Sequence, residues 1–297
     1  MIDNFDDLTV IILTYKTKLN ILEKCISSID PTIKVLIIEN SKFFLNREYI
    51  LKKYKNASIF CTESNLGYGN GNNYGINKVH TNYVLILNPD TECAPNYFEN
   101  IKLYINNKLN FSIIGSQYTE DNSFAPAGFF DETKKLKDAE FNKDTSLYKV
   151  DWVVGCALLL NLKSFENKNI FDENFFLFFE EFDLCKNLKQ KGKLVYSSEK
   201  LLINHYGFKS STENTKEIDL IKLRSWHYMW SFFYYHRKNN GYFSALKNSI
   251  GKLLRSFFKM IFYSLTNKTK NKILYKYRFL GVINSILGKK SWFRIDQ

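Results

Sequence analysis

Four groups of polar side chains stand where a folded chain could use them for chemistry. The first is Asn88-Pro89-Asp90, directly after the apolar run Tyr83–Leu87. A carboxylate at the end of a buried strand can hold Mg2+ or Mn2+, ions that keep several waters and bind one or two carboxylates together with substrate phosphates. The same tripeptide is also a common turn. The second is Asn65–Gly75, NLGYGNGNNYG, whose glycines permit close backbone approach and whose amides can donate to phosphate or sugar oxygens. It matches neither GxGxxG nor GxxxxGK[ST], and its plainer reading is a flexible connection from strand to helix. The third is Phe178-Phe179-Glu180-Glu181-Phe182-Asp183. Carboxylates among aromatics are costly to bury unless paired, and an apolar wall raises a carboxyl's proton affinity into a range useful for a general base. The alternative is an amphipathic helix with its acids in water. The fourth is His205, a candidate metal ligand or proton carrier that is otherwise an ordinary structural histidine.

These groups need elements to position them. Leu8–Thr14, Lys34–Ile38, Ser58–Cys61 and Tyr83–Leu87 are short apolar, β-branched runs and read as strands. Leu22, Cys25, Ile26 and Ile29 recur at helical spacing between the first two, and Tyr49–Tyr54 is weakly helical. Asn65–Gly75 reads as a loop entering a helix. Strands alternating with helices imply an α/β fold with a mostly parallel sheet, and ligands bind such sheets at the carboxyl ends of the strands. Thr14, Glu39 and Asn88 to Asp90 fall at those ends. Further on, Asp121–Leu147 reads as a polar loop or lid, Trp152–Leu160 as one buried strand, and Leu194–Tyr196 and Leu201–Asn204 as two short strands before His205.

The 297 residues are 45% hydrophobic and 24% charged, with only four prolines, which suits a globular chain rather than a disordered or fibrous one. The five cysteines form no CxxC pair, which disfavours a disulfide framework or a zinc site and fits a reducing cytosol. Met1–Leu8 carries three Asp and does not resemble a signal peptide, and no uncharged run is long enough to span a bilayer. The net charge of +12 is uneven. Residues 215–297 hold 17 Lys and Arg against three acids, whereas residues 1–214 hold 25 against 27. We therefore expect a near-neutral domain over 1–214 and a basic helical appendage over 215–297. In the appendage, Leu246, Ile250, Leu253, Leu254, Phe257, Phe258, Ile261, Phe262 and Leu265 form an apolar stripe at helical spacing. A basic amphipathic helix suits an anionic membrane surface, or packing on the domain or on a second copy in a homodimer.

In order and spacing, seven stretches resemble the inverting glycosyltransferases of family 2, in particular their bacterial rhamnosyltransferase-like branch: IILTYK, LIIENSK, NLGYGNGNNYG, YVLILNPDTE, VDWVVGCALLL, FDENFFLFFEEFDLCKNLKQKG and NHYGFKSST. They cover most of residues 8–212. The resemblance implies a GT-A fold, with a Rossmann-like nucleotide-binding half joined to an acceptor-binding half. It implies that Thr14 and Glu39 hold the nucleotide base, that Asn65, Gly67 and Asn72 line the nucleotide-sugar pocket, and that Asn88 and Asp90 occupy the DxD position. By the same resemblance Asp90 and His205 ligate Mg2+ or Mn2+, Glu181 is the catalytic base, Glu180 and Asp183 support the acceptor or orient Glu181, and Trp152 faces the sugar or acceptor. Glu39 stands where the family usually has Asp, Asn88 replaces the first Asp of DxD, and Glu181 replaces the second residue of a Glu-Asp pair.

The implied reaction moves a sugar, rhamnose or another deoxyhexose, from a dTDP- or UDP-linked donor to a saccharide or lipid-linked saccharide in surface polysaccharide synthesis. The implied location is cytoplasmic, peripheral on the inner face of the plasma membrane. Two rivals stand beside this reading. A nucleic-acid-binding protein would use the cationic, aromatic tail, but its apolar stripe is too continuous for a groove-facing surface and no nucleic-acid motif is present, so no nucleic-acid partner is expected. An inactive relative with a binding role would keep the fold and lose the chemistry.

Overall fold

Leu8–Thr14 (β1) is apolar on both sides because both of its faces are covered. The computed structural model describes residues 5–118, 127–206 and 217–295. After β1 come α1 (Leu19–Ser27), β2 (Lys34–Glu39), α2 (Arg47–Lys53), β3 (Ala57–Cys61), α3 (Tyr68–Ile76), β4 (Tyr83–Leu87), β5 (Thr91–Cys93) and α4 (Tyr97–Asn106). They are followed by β6 (Ile113–Tyr118), β7 (Ala127–Gly128), β8 (Glu140–Asn142), β9 (Leu147–Val150), β10 (Trp152–Val153), β11 (Ala157–Asn161), α5 (Glu180–Gln190) and β12 (Val195–His205). Three long helices close the chain: α6 (Glu217–Asn240), α7 (Tyr242–Leu265) and α8 (Thr269–Ile286).

The chain divides into two compact units. One comprises residues 1–171 and 184–213, the other residues 172–183 and 214–297. The first is built on a sheet of order β3-β2-β1-β4-β11-β6-β12-β9-β8, with β5 paired to β12. Strands β3, β2, β1, β4, β6 and β12 run in one sense, and β11 runs against its neighbours β4 and β6. Two apolar layers cover it. One packs α1 and α4 residues such as Leu22, Tyr97 and Ile101 on Val10, Ile12 and Leu85; the other packs Ile76, Leu184 and Leu188 on Ile11, Ile38 and Ile86. The architecture is the mixed α/β one expected, with a mostly parallel central sheet.

Four local expectations change. Tyr68–Ile76 is helical despite its glycines, because they serve packing: a Cβ on Gly71 would lie 2.5 Å from a Leu13 methyl and force it to shift, so glycine lets α3 settle onto β1 with Leu13 in place. Trp152–Leu160 is two strands broken at Val154–Cys156, not one. The two strands before His205 are a single strand whose register shifts between Ser197 and Leu202. The polar stretch Asp121–Leu147 contains β7, β8 and the start of β9, and its first residues, 121–126, lie outside the described residues, as do 207–212 of NHYGFKSST and the expected boundary at 214/215.

In the second unit, Met229, Phe233, Ala245 and Val282 join α6, α7 and α8 in one small core. Trp226 is buried against Trp292 and Phe293. His227 is buried, its ring nitrogens placed at Ser291 Oγ (3.0 Å) and the Phe293 carbonyl (2.8 Å), and burial lowers its pKa to about 3. It is a structural histidine. No helix among the described residues is long and apolar enough to cross a membrane.

Candidate active site

The carboxyl ends of β1, β2 and β4 gather the polar residues of the first unit, because parallel pairing sets Thr14 beside Glu39. Glu39 is fully buried. Its Oε2 accepts from Thr14 Oγ1 (2.7 Å), and its Oε1 accepts from the Lys16 N–H (3.1 Å) and Ser41 Oγ (2.5 Å). Three donors offset the cost of desolvating this carboxylate and hold it in place.

The neighbouring Asn40 was not singled out in the sequence, yet it organises the Gly-Asn segment. Its Nδ2 donates to Asn65 Oδ1 (3.1 Å) and the Gly67 carbonyl (3.0 Å); its Oδ1 accepts from Thr62 Oγ1 (3.0 Å) and the Leu66 N–H (2.9 Å). Asn65 Oδ1 also accepts the Gly67 N–H (3.0 Å), and Gly67 turns the chain into α3 at φ 84°, where a side chain would be strained. The only sequence signal for Asn40 was its place at a strand end, next to Glu39 and inside the stretch LIIENSK. Asn72 is buried inside α3, its Nδ2 donating to the Tyr68 carbonyl (3.0 Å).

The turn after β4 is both a turn and a site. The Asn88 carbonyl accepts from the Thr91 N–H (3.1 Å) and Thr91 Oγ1 (2.7 Å), closing it. Antiparallel pairing of β5 with β12 then sets His205 opposite Thr91, and the Tyr206 N–H donates to the Asp90 carbonyl (3.0 Å). The result places His205 Nε2 3.4 Å from Asp90 Oδ1. The imidazole stacks on Tyr118, centroids 5.5 Å apart. Asp90 is 1% exposed, and neither carboxylate oxygen has a hydrogen-bond partner.

A buried carboxylate without donors is expensive, and a divalent cation would satisfy it. One carboxylate and one imidazole form a donor set suited to Mg2+ or Mn2+, so the residues present fit such an ion. No group of three or more His, Cys, Asp or Glu that could hold a metal occurs among the described residues. A two-ligand site leaves coordination positions for phosphate oxygens. Trp152 lies in the β7–β10 ribbon. Its ring covers Gly128, and its indole N–H donates to the Phe129 carbonyl (3.1 Å).

Glu180, Glu181 and Asp183 begin α5 and belong to the second unit. The helix does not extend back through the aromatic run, as an amphipathic reading would require. Phe178 and Phe179 both adopt left-handed backbone conformations, φ 70° and 71°, which cost about 1–3 kcal/mol each for residues with a Cβ. Packing holds them there: the Phe179 ring lies against Phe182, Tyr228, Phe232 and Tyr235. Glu180 is buried with Oε1 unpartnered, and burial, reinforced by the neighbouring Glu181 charge, raises its pKa well above that of an ordinary carboxyl. Glu181 is half-buried.

Asp183 is tied down rather than free for a ligand. Its Oδ2 pairs with Lys238 Nζ (2.6 Å) and its Oδ1 accepts from Asn239 Nδ2 (3.1 Å). Burial pushes its carboxyl up even so, while Lys238 also reaches Asp172 (2.7 Å).

The chain matches the model of glycosyl transferase family 2 over residues 9–166. The chain belongs to this family. A low-salt glycan biosynthesis hexosyltransferase, Agl10, of Haloferax volcanii is 28% identical over 198 residues, which are 63% of this chain and 62% of that protein. The match thus spans less than two thirds of that relative's length. The rhamnosyltransferase WbbL of Escherichia coli is 23% identical over 243 residues, covering 70% of this chain and 84% of that one. Among solved structures, the mannosyltransferase PcManGT from Pyrobaculum calidifontis, in complex with GDP-Man and Mn2+, superposes with a TM-score of 0.53 at 10% identity, over 96% of this chain and 88% of that one. The fold of this family 2 chain is the GT-A fold.

Proposed function

We propose that this family 2 chain is an inverting, metal-dependent glycosyltransferase. It takes a hexose, rhamnose or another deoxyhexose being the leading candidate, from a dTDP- or UDP-linked donor and passes it to a hydroxyl of a saccharide or lipid-linked saccharide. The observation that carries the reading is the buried Asp90 carboxylate with neither oxygen hydrogen-bonded, set 3.4 Å from the His205 imidazole at the strand ends.

Asp90 and His205 would hold Mg2+ or Mn2+, which when bound neutralises the charge that the departing diphosphate develops. Glu39, anchored by Thr14, Lys16 and Ser41, and the segment that Asn40 holds at Asn65 and Gly67 would receive the nucleoside part of the donor. Glu181 would take the proton of the acceptor hydroxyl as its oxygen attacks the anomeric carbon from the face opposite the leaving group. Glu180, buried beside it with its pKa raised, would keep its own proton, so that Glu181 does not share its charge with the neighbouring glutamate. Trp152 would meet the sugar or acceptor. The chemistry is carried by residues 1–214, of which 172–183, Glu181 included, form one compact unit with the basic appendage 215–297, and that appendage works at an anionic membrane surface on the cytoplasmic side. The glycan biosynthesis named for Agl10 supports a place in surface polysaccharide synthesis, and the rhamnosyltransferase WbbL supports the sugar.

The test is a panel of sugar nucleotides with and without Mn2+. Asp90→Asn should abolish metal-dependent donor binding. Glu181→Gln should abolish turnover and leave donor binding within about twofold, since it removes a proton acceptor without changing side-chain size. Full activity of Glu181→Gln, or donor binding by Asp90→Asn equal to that of the wild type, refutes the assignment.

A further inference from the structure

Helix α7 buries only a small part of its apolar stripe. An amphipathic helix normally turns its apolar stripe to the core and its small and polar residues outward. On α7 the fully buried positions are Ala245, Ser249 and Ser256, and of its apolar residues Leu246 and Leu253 pack partly against the core of the unit. The solvent side carries Phe243, Leu254, Phe258, Ile261, Phe262 and Leu265, with Phe243 84% and Leu265 79% exposed. The packing explains the exposure. Small residues let α7 lie close to its neighbours, and ring contacts such as Phe257 on Phe279 and Tyr263 on Tyr275 secure its edges. The rest of the apolar stripe, from Ile250 to Leu265, is then left in water over about 24 Å of the helix. A contiguous apolar face of this length marks an interaction surface.

Charge identifies the partner. Between Tyr242 and Ile286 there are nine Lys and Arg and no acidic residue. Lys247 and Arg255 on α7 are exposed. A second copy would bring two such cationic surfaces together, which Coulomb repulsion opposes. An anionic lipid surface offers hydrocarbon for the stripe and headgroup charge for the cations. We infer that α7 is an in-plane membrane anchor: its Phe243–Leu265 face enters the headgroup boundary of an anionic bilayer, and it does not cross. This extends the membrane-surface reading above and rests on it for the partner's chemistry.

The experiment is flotation of the full chain with vesicles of phosphatidylcholine and phosphatidylglycerol, against phosphatidylcholine alone, at low and high salt. The comparison variant is Leu254→Glu with Phe258→Glu, both at exposed sites, with folding checked by circular dichroism and thermal unfolding. The wild type should bind the anionic vesicles at least about tenfold more tightly than the neutral ones and weaken with salt, and the variant should bind at least about tenfold more weakly than the wild type. Equal flotation of variant and wild type, or no flotation of the wild type, overturns the proposal. So does a wild-type dimer in light scattering that the variant loses while neither binds vesicles, or salt-dependent oligonucleotide binding in place of lipid binding. Donor binding and transfer to a water-soluble acceptor, measured on the same variant, should be unchanged. Full transfer by Glu181→Gln with flotation intact would count against the catalytic reading and leave the anchor standing.

Discussion

Glu180 sets a measurable pH dependence on the stability of the second unit. Its carboxyl is 2% exposed, Oε1 has no partner, and burial with the Glu181 charge raises its pKa well above the ordinary 4.5. Below that ordinary value the group is protonated in both the folded and unfolded chain and contributes no pH dependence. As the pH rises above it, the unfolded chain releases the proton while the folded chain keeps it, so the folded state binds more protons. Stability then falls by about 1.4 kcal/mol for each pH unit, until the pH passes the folded-state value and the loss levels off. Glu180→Gln keeps the shape and cannot ionise, so it should remove this slope. Near pH 4 the variant and wild type should melt together. At pH 6 and above the variant should be the more stable, by about 4–8 °C for each kcal/mol recovered in a unit of this size class. The assay is thermal unfolding followed by tryptophan fluorescence, which reports the second unit through Trp226 and Trp230, across pH 4 to 8. Parallel pH profiles for the two proteins would refute the reasoning, because they would mean that Glu180 ionises without cost in the folded state.

Two other perturbations test the scaffolding of the site. Lys238→Met strands the Asp183 carboxylate, 1% exposed, and Asp172 without their cation. It should destabilise the second unit by about 2–3 kcal/mol in chemical denaturation, less than for a fully buried pair because Lys238 keeps some contact with water, and the deficit should shrink as acid protonates the two aspartates. Asn40→Ala removes four hydrogen bonds and leaves the Leu66 N–H without its acceptor. It should cost about 2–3 kcal/mol in urea unfolding and raise the donor KM more than it lowers kcat, since the segment it holds binds rather than reacts.

Strand positions were legible in the sequence wherever burial on both faces demanded an unbroken apolar run, as in Leu8–Thr14 and Tyr83–Leu87, and the polar residues ending those runs marked the site's edge. Propensity misled where tertiary contact outweighed it. Tyr68–Ile76 is glycine-rich and still helical, because the absence of side chains at Gly71 and Gly75 is what lets the helix touch the sheet. The left-handed pair Phe178 and Phe179 leaves no trace in residue type, since it is the surrounding rings of α6 that hold the backbone there.

By itself the sequence determined which residues are available for chemistry and how charge divides between the body and the tail, because residue type and local periodicity are one-dimensional properties. Tertiary structure alone decided that Asp90 and His205 meet, since only the register of β5 on β12 brings two distant points of the chain within 3.4 Å. It also decided which way α7 faces. A periodic stripe records that a helix has an apolar side, but packing chooses the side that is buried, and here it is the side of Ala245, Ser249 and Ser256, flanked by Leu246 and Leu253.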